Sequence, residues 1–217
     1  MVDSPENLLR RGVERLQLEI TTAQNDALLS YVALLDRWNK VFNLTAVRDQ
    51  ADMVVRHILD SLSLISAVSG KTVIDVGTGA GLPGIPLAIM RPDKSVTLLD
   101  SNGKKTRFLH QAATQLELTN TQIVHSRVRD YRSSGGFDHV VTRAFASSAK
   151  MARECAHLLT PSGTILAMKA AGYEDELAEL DDNVQIVSVR MLDVPFLGEQ
   201  RVVVSMKPTA LQEDLDQ

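Results

Sequence analysis

Residues 72–84 read Thr72-Val73-Ile74-Asp75-Val76-Gly77-Thr78-Gly79-Ala80-Gly81-Leu82-Pro83-Gly84. Thr72–Val76 is a short β-branched run of the kind that forms a buried strand. It passes directly into three alternating glycines. A strand that ends in glycines and opens a helix leaves bare backbone close to any ligand, with the unpaired N–H groups of the helix start behind it. The spacing predicts that helix over Leu82–Met90, with Pro83 tolerated in its first turn. A nucleotide-type site at this turn is the first expectation.

Downstream, strand and helix signals alternate. Strands are expected at Ser95–Leu99, ending on Asp100, then at Thr121–His125, Asp138–Thr142 and Thr164–Met168. Helices are expected at Gly103–Glu117, Ser147–Leu159 and Glu174–Leu180, with a turn at Thr160-Pro161-Ser162-Gly163. The last two strands, Val184–Leu192 and Arg201–Met206, have only a short link. Parallel neighbours need a crossover of roughly a dozen residues, so this pair is expected to be antiparallel. The sum is a doubly wound α/β sheet of seven strands with one reversed strand at its end.

Upstream the chain reads as helical. Leu9, Val13, Leu16 and Ile20 recur on one helix face. Thr21–Gln24 fits a capping box for a second helix, with Leu28, Val32, Leu35 and Trp38 as its buried stripe. Residues 39–48 read as a loop. Asp49 caps a third helix in which Met53, His57, Leu64 and Ile65 share a face, and Ser69-Gly70 ends it. The organisation expected is an N-terminal helical attachment (1–70), a ligand-binding domain (71–207) and a disordered tail (208–217).

Composition narrows the function classes. The chain has 217 residues, 44% of them hydrophobic, enough for a sizeable core. No apolar run reaches the ~18 residues of a membrane span, and residues 1–15 contain no apolar signal core, so a cytoplasmic protein is expected. Cys155 is the single cysteine, which excludes an internal disulfide and a multi-cysteine metal site; no metal is expected. The net charge of −4 provides no global basic field, so any nucleic-acid contact must come from a local basic face.

The glycines admit two readings. Gly77-x-Gly79-x-Gly81 is a loop typical of S-adenosylmethionine enzymes, whereas Gly79–Gly84 also spells the G-x-G-x-x-G dinucleotide fingerprint. The first is favoured because the glycines start directly after the strand, and because Asp75 offers a carboxylate to a cofactor carrying a sulfonium and an ammonium but no phosphate. Asp100, about 20 residues past the loop, stands where an acidic side chain accepts ribose hydroxyls. Lys104, Lys105 and Arg107 open the next helix; Arg127, Arg129 and Arg132 follow the third strand. Arg143 and Lys169 end strands at the ligand-binding edge and are candidates for positioning a cofactor carboxylate or a phosphate. His57, Asp60 and Ser61 could form a catalytic group, but no nucleophile elbow accompanies them; a packed histidine with a helix-borne aspartate partner is favoured. Cys155 reads as a buried small residue.

Several segments taken together are more specific. LDRWNKVFNLTAVRD, VRHILDSL, IDVGTGAGLPGIPLAI, TLLDSNGKKTRFL, SRV, TRAFAS and AMKA, in this order over about residues 25–207, resemble the glucose-inhibited division protein B family, small-subunit ribosomal RNA guanine-N7 methyltransferases. The resemblance implies a class I methyltransferase (Rossmann-like) fold. It also implies S-adenosylmethionine as cofactor and transfer to guanine N7 in the decoding-centre region of 16S ribosomal RNA within the small subunit. It carries cofactor contacts to Gly77, Leu82, Val128, Arg129 and Arg143, beside Asp75, Gly79, Gly81 and Asp100 read from the loop. At Arg129 the family usually has an acidic residue. The adenine contact would then run through backbone groups there, or through Asp130. Guanine N7 has a free lone pair and no proton to lose, so no general base is required and no catalytic residue is singled out. A methyltransferase acting on another substrate, a nicotinamide-dependent oxidoreductase and a fold that only binds RNA are the alternatives.

Overall fold

A computed structural model describes residues 3–143, 147–180 and 182–209. Seven strands form one sheet: β1 (Thr72–Val76), β2 (Ser95–Asp100), β3 (Thr121–His125), β4 (Phe137–Thr142), β5 (Leu159–Lys169), β6 (Val184–Met191) and β7 (Val202–Pro208), in the order β3-β2-β1-β4-β5-β7-β6. β1 to β5 pair in parallel with one another, and β7 runs antiparallel to both β5 and β6. The reversed strand therefore lies between β5 and β6 rather than at the sheet's edge as expected. The last link is a hairpin, and its second strand takes the inner position. The strand order switches direction between β1 and β4, which opens a crevice at the strand C-termini.

The helices are α1 (Pro5–Arg15), α2 (Thr22–Phe42), α3 (Gln50–Met53), α4 (Asp60–Leu62), α5 (Gly84–Met90), α6 (Gly103–Gln115), α7 (Ser148–Cys155) and α8 (Tyr173–Ala178). A π-helical turn, Val54–Leu59, joins α3 to α4. One buried cluster runs from Leu9, Leu28 and Leu35 through Met53, Ile58 and Leu59 to Leu98, Val141, Leu166 and Val203. The N-terminal helices thus cover one face of the sheet. A second cluster, with Met151, Cys155 and Leu158 packed on Ile74, Val140 and Ile165, fills the other face. Burial of Cys155 among apolar neighbours pushes its thiol up to about 12.

Several boundaries differ from the sequence reading, each for a local reason. α1 stops at Arg15 because Gln17 turns left-handed, with Leu18 N–H reaching back to Val13 O. Leu16 and Ile20 therefore lie beyond the helix. The same turn at Glu117 stops α6 at Gln115. α2 absorbs residues 39–42, expected in a loop, and ends only at left-handed Asn43. The third helix keeps its Asp49 cap but widens into the π turn, which the 3.6-residue pattern does not reveal. α5 starts at Gly84, with Pro83 as its N-cap. α7 tightens after Cys155, and the expected 160–163 turn is a shift of register inside β5. α8 lies one to two residues earlier than expected. Pro208, assigned to the tail, closes β7, whereas residues 210–217 lie outside the described residues.

Candidate cofactor cleft and the charged cluster beside it

The glycine loop is built on two close approaches. Gly81 has φ +91°, and a Cβ there would sit 2.5 Å from Ile85 Cδ1. A Cβ on Gly84 would sit 2.2 Å from Leu98 Cδ2 and 2.8 Å from Asp75 Oδ2. Only hydrogen fits at either position. The loop is held from beneath by Asp75, whose Oδ2 accepts from Thr78 Oγ1 (2.6 Å) and Gly84 N (2.8 Å). Its Oδ1 is buried with no hydrogen-bond partner. Burial raises the Asp75 carboxyl to about 6, against the pull of these bonds. From the helical face, the buried Tyr31 hydroxyl donates to Ala80 O at 2.6 Å.

Asp100 closes the loop's outer side. Its Oδ2 accepts from Gly79 N at 2.9 Å, its Oδ1 accepts from Asn102 N at 2.8 Å, and Lys105 Nζ lies 3.7 Å away. A cleft of about 310 Å³ opens here, lined in part by Gly77, Asp100, Val128, Arg129, Lys150 and Glu154. Its size suits a small cofactor. Four expected site residues, Gly77, Asp100, Val128 and Arg129, thus meet at one place. Gly79 joins them through its bond to Asp100. Asp75 and Leu82 are buried behind the loop, with Leu82 in the main core. Asp130 does not line the cleft, whereas Arg129 does. The sequence reading missed Lys150 and Glu154, an i,i+4 pair on α7 that looks like any solvated pair.

Two expected residues, Lys169 at the end of β5 and Arg143 just after β4, stand at the same sheet edge but do not line this cleft. Lys169 Nζ bonds Glu176 Oε2 at 2.5 Å, and the same carboxylate accepts from Ser148 N and Oγ. Arg143 points at the helical layer. Its Nη1 lies 2.9 Å from Arg56 O, 3.4 Å from His57 Nδ1 and 3.3 Å from Asp60 Oδ2. Asp60 Oδ1 is 3.3 Å from Arg201 Nε without a hydrogen-bond alignment, and Glu199 bridges Arg201 to Arg56. Residues 144–146 of the RAFAS segment lie outside the described residues.

His57, Asp60 and Ser61 do not form a catalytic triad. Ser61 Oγ donates to the backbone of His57. The ring faces Thr45 Oγ1 at 2.8 Å through Nε2 and a guanidinium through Nδ1. Burial, then the Arg143 charge, lowers His57 to about 4. A guanidinium only donates, so Nδ1 is the acceptor and Nε2–H donates to Thr45. The expected aspartate partner of His57 instead serves the two arginines. Among the described residues no helix is long and apolar enough to cross a membrane.

The comparisons with known proteins bear on this geometry. Residues 24–204 match the family model GidB, rRNA small subunit methyltransferase G. The chain is 45% identical over 203 residues to the ribosomal RNA small subunit methyltransferase G of Nitrosococcus oceani, covering 94% of this chain and 95% of that protein. It is 48% identical over 201 residues to the protein of the same name from Salmonella arizonae, covering 93% and 97%. Among solved structures, TYW2 of M. jannaschii, determined in complex with AdoMet, superposes with a TM-score of 0.52 at 19% identity, covering 69% of this chain and 74% of that one. The tRNA (uracil-54, C5)-methyltransferase of Pyrococcus abyssi, in complex with S-adenosyl-L-homocysteine, gives 0.52 at 18% identity, covering 73% and 38%. The fold is that of the class I methyltransferases, and by the extent and identity of these matches the chain belongs to the GidB family, the rRNA small subunit methyltransferases G.

Proposed function

We propose that this protein transfers the methyl group of S-adenosylmethionine to N7 of a guanine in 16S ribosomal RNA, acting in the cytoplasm on the small ribosomal subunit. The observation that carries the reading is the meeting of the glycine-loop backbone and the Asp100 carboxylate at one cleft, in a chain of this family. The residues present fit the cofactor. Asp100 offers a carboxylate to a ribose at the cleft wall, and Arg129 offers backbone groups to an adenine. Buried Asp75, with one oxygen unpartnered, adds negative charge behind a site meant for a cation. The bound cofactor supplies an electrophilic methyl on a sulfonium.

What the chain's own groups must do is hold and align. Guanine N7 attacks with an in-plane lone pair, so no side chain has to remove a proton. The rate comes from fixing the guanine in line with the methyl carbon and excluding water. A bidentate arginine on O6 and N7 would block the nucleophile, so the base is held by other edges or by stacking after leaving its own stack. Arg127 and Arg129 at the cleft, with Lys104 and Arg107 on α6, are exposed and can turn toward phosphates, Arg129 by leaving Asp130 at 3.6 Å and Arg107 by leaving Gly103 O at 3.2 Å. Arg56 and Arg201, ion-paired to Glu199 and Asp60, are less available. Several weak phosphate contacts favour a preformed RNA surface.

The test is transfer of labelled methyl from S-adenosylmethionine to assembled small subunits, with the product located by cleavage at 7-methylguanine. Label at a single guanine of 16S ribosomal RNA is expected. No transfer would leave a fold that only binds RNA. Heat protection by S-adenosylhomocysteine and not by NADH separates the proposal from a nicotinamide enzyme. Methylation of a short naked hairpin as fast as of the subunit would overturn the preference for a preformed surface.

A further inference from the structure

The cluster beside the cleft uses a motif that cofactor binding does not explain, residues 56–61 (Arg-His-Ile-Leu-Asp-Ser). Asp60 is 2% exposed and lies between two guanidiniums, 3.3 Å from Arg143 Nη1 and 3.3 Å from Arg201 Nε. The three side chains are 24%, 19% and 3% exposed for Arg143, Arg201 and Asp60. Two poorly hydrated cations therefore share one buried anion. Arg143 follows β4 at its C-terminal end. Asp75 and Val141 are register partners, so Arg143 lies beside the start of the glycine loop, at the switch point of the sheet.

We propose that Asp60 is a positioning residue: by its hold on Arg143 it fixes the guanidinium that the bound cofactor meets at the end of β4. The inference rests on the methyltransferase reading above. Its physical basis is threefold. All recorded contacts of Arg143 with the described residues run through Nη1, so Asp60, Arg56 O and His57 Nδ1 together clamp one corner of the fork. The π turn supplies two of these acceptors, Arg56 O and His57 Nδ1, and such turns recur at functional sites. Without the Asp60 charge, Arg201 still has Glu199 at 3.1 Å, whereas Arg143 loses the carboxylate at 3.3 Å and its guanidinium moves away. Asp60 itself touches no reacting group; it acts through Arg143.

The experiment compares full-length wild type with Asp60→Asn, Arg143→Gln, the double variant and Arg143→Lys. The readouts are S-adenosylhomocysteine affinity by calorimetry, kcat and KM for small subunits, and the melting temperature. Asp60→Asn is expected to weaken cofactor affinity at least about tenfold while KM for the subunit stays within about twofold, and the double variant is expected to be no weaker than Arg143→Gln alone. Multiplying effects in the double variant, or an affinity for Asp60→Asn within about twofold of wild type, overturns the proposal. Were Asp60→Asn not to fold, Arg143→Lys decides. A lysine ammonium cannot hold the three acceptors and also present a fork to the ligand, so a loss like that of Arg143→Gln supports the proposal and wild-type affinity refutes it. A wild type that binds the cofactor and transfers no methyl to RNA would sink the functional reading while leaving the affinity comparison intact.

Discussion

The C-terminal edge of the sheet is made of two different materials on either side of β1. Toward β2, the edge is backbone: a glycine loop whose turns exclude side chains, fastened by Asp75 below and Asp100 outside. Toward β4, it is side chains: Arg143, Arg201 and Asp60, with a neutral histidine behind them. The loop of the first half is specified by thirteen consecutive residues, with Asp100 added from the end of β2. The second is assembled from residues 56–60, 143 and 199–201, which meet only after the sheet has formed. Backbone geometry of the first kind can be read locally. A charge cluster of the second kind depends on the tertiary fold.

The largest expected effect lies on the backbone side. Asp100→Ala removes the acceptor proposed for the ribose and also the anchor of Gly79 N and Asn102 N. Hydrogen bonds to a charged acceptor are worth about 1.5–3 kcal/mol each, so losing two from the ribose hydroxyls corresponds to a fall in cofactor affinity of at least about 100-fold. Calorimetry with S-adenosylhomocysteine measures it directly. An unchanged affinity would withdraw the ribose assignment.

Among the buried titratable groups, Asp75 in the first half and His57 in the second should pull stability in opposite directions. Burial raises Asp75 from 3.8 to about 6. The native chain keeps a proton there that the unfolded chain has lost, so this contribution is present below pH 3.8 and fades as pH rises through about 6. Burial and the Arg143 charge lower His57 from 6.5 to about 4. Its contribution is present above pH 6.5 and fades as pH falls through about 4. Each is on the order of 2–3 kcal/mol. Relative to wild type, Asp75→Asn should steepen the rise of stability with pH between 4 and 6.5, and His57→Gln should flatten or reverse it. Urea denaturation at several pH values measures both; parallel profiles in the two variants would show that these groups do not set the pH dependence.

How far this was legible follows from the same contrast. Runs such as Thr72–Val76 and Thr121–His125 gave their strands directly, because β-branched residues between turn formers have few alternatives. Thr21 and Asp49 announced their helix starts through local side-chain caps. Asp100 was readable from its distance to the loop. By contrast, the left-handed ends at Gln17 and Glu117 use residues that carry no signal for such a turn. The π turn at 54–59 keeps an ordinary helical sequence. The order β5-β7-β6 is a choice between two edges that the strands themselves do not encode. Lys150 and Glu154 enter the cleft only because α7 packs above it. Asp60 could not be assigned to the arginines, because its nearest polar neighbours in sequence are His57 and Ser61.

A smaller effect is expected where the helical layer meets the backbone half. Tyr31→Phe leaves Ala80 O without the buried hydroxyl that now donates to it at 2.6 Å. Stranding one buried acceptor costs about 1–3 kcal/mol, which for a chain of this size is a drop of roughly 2–10 °C in melting temperature. Cofactor affinity should fall as well, since Ala80 lies inside the loop. A loss of stability with full affinity would show that the loop keeps its shape without the tyrosine.

The smallest effect separates scaffold from site. Thr21→Ala opens the capping box in which Thr21 Oγ1 accepts from Gln24 N at 3.2 Å and Gln24 Oε1 accepts from Thr21 N at 3.0 Å. Such a cap is worth about 1 kcal/mol, or roughly 2–4 °C here. Gln24 does more than complete the box. Its Nε2 donates to Ile89 O and Met90 O at the far end of α5, the helix that the glycine loop opens. Gln24→Ala should therefore cost more than Thr21→Ala, because it also strands the carbonyls that end α5. Neither change touches Asp100, Asp75 or Arg143, so cofactor affinity should hold in both. If Gln24→Ala weakens cofactor binding where Thr21→Ala does not, then the loop is braced from both ends of α5, and the backbone half of the edge depends on the helical layer as closely as the side-chain half does.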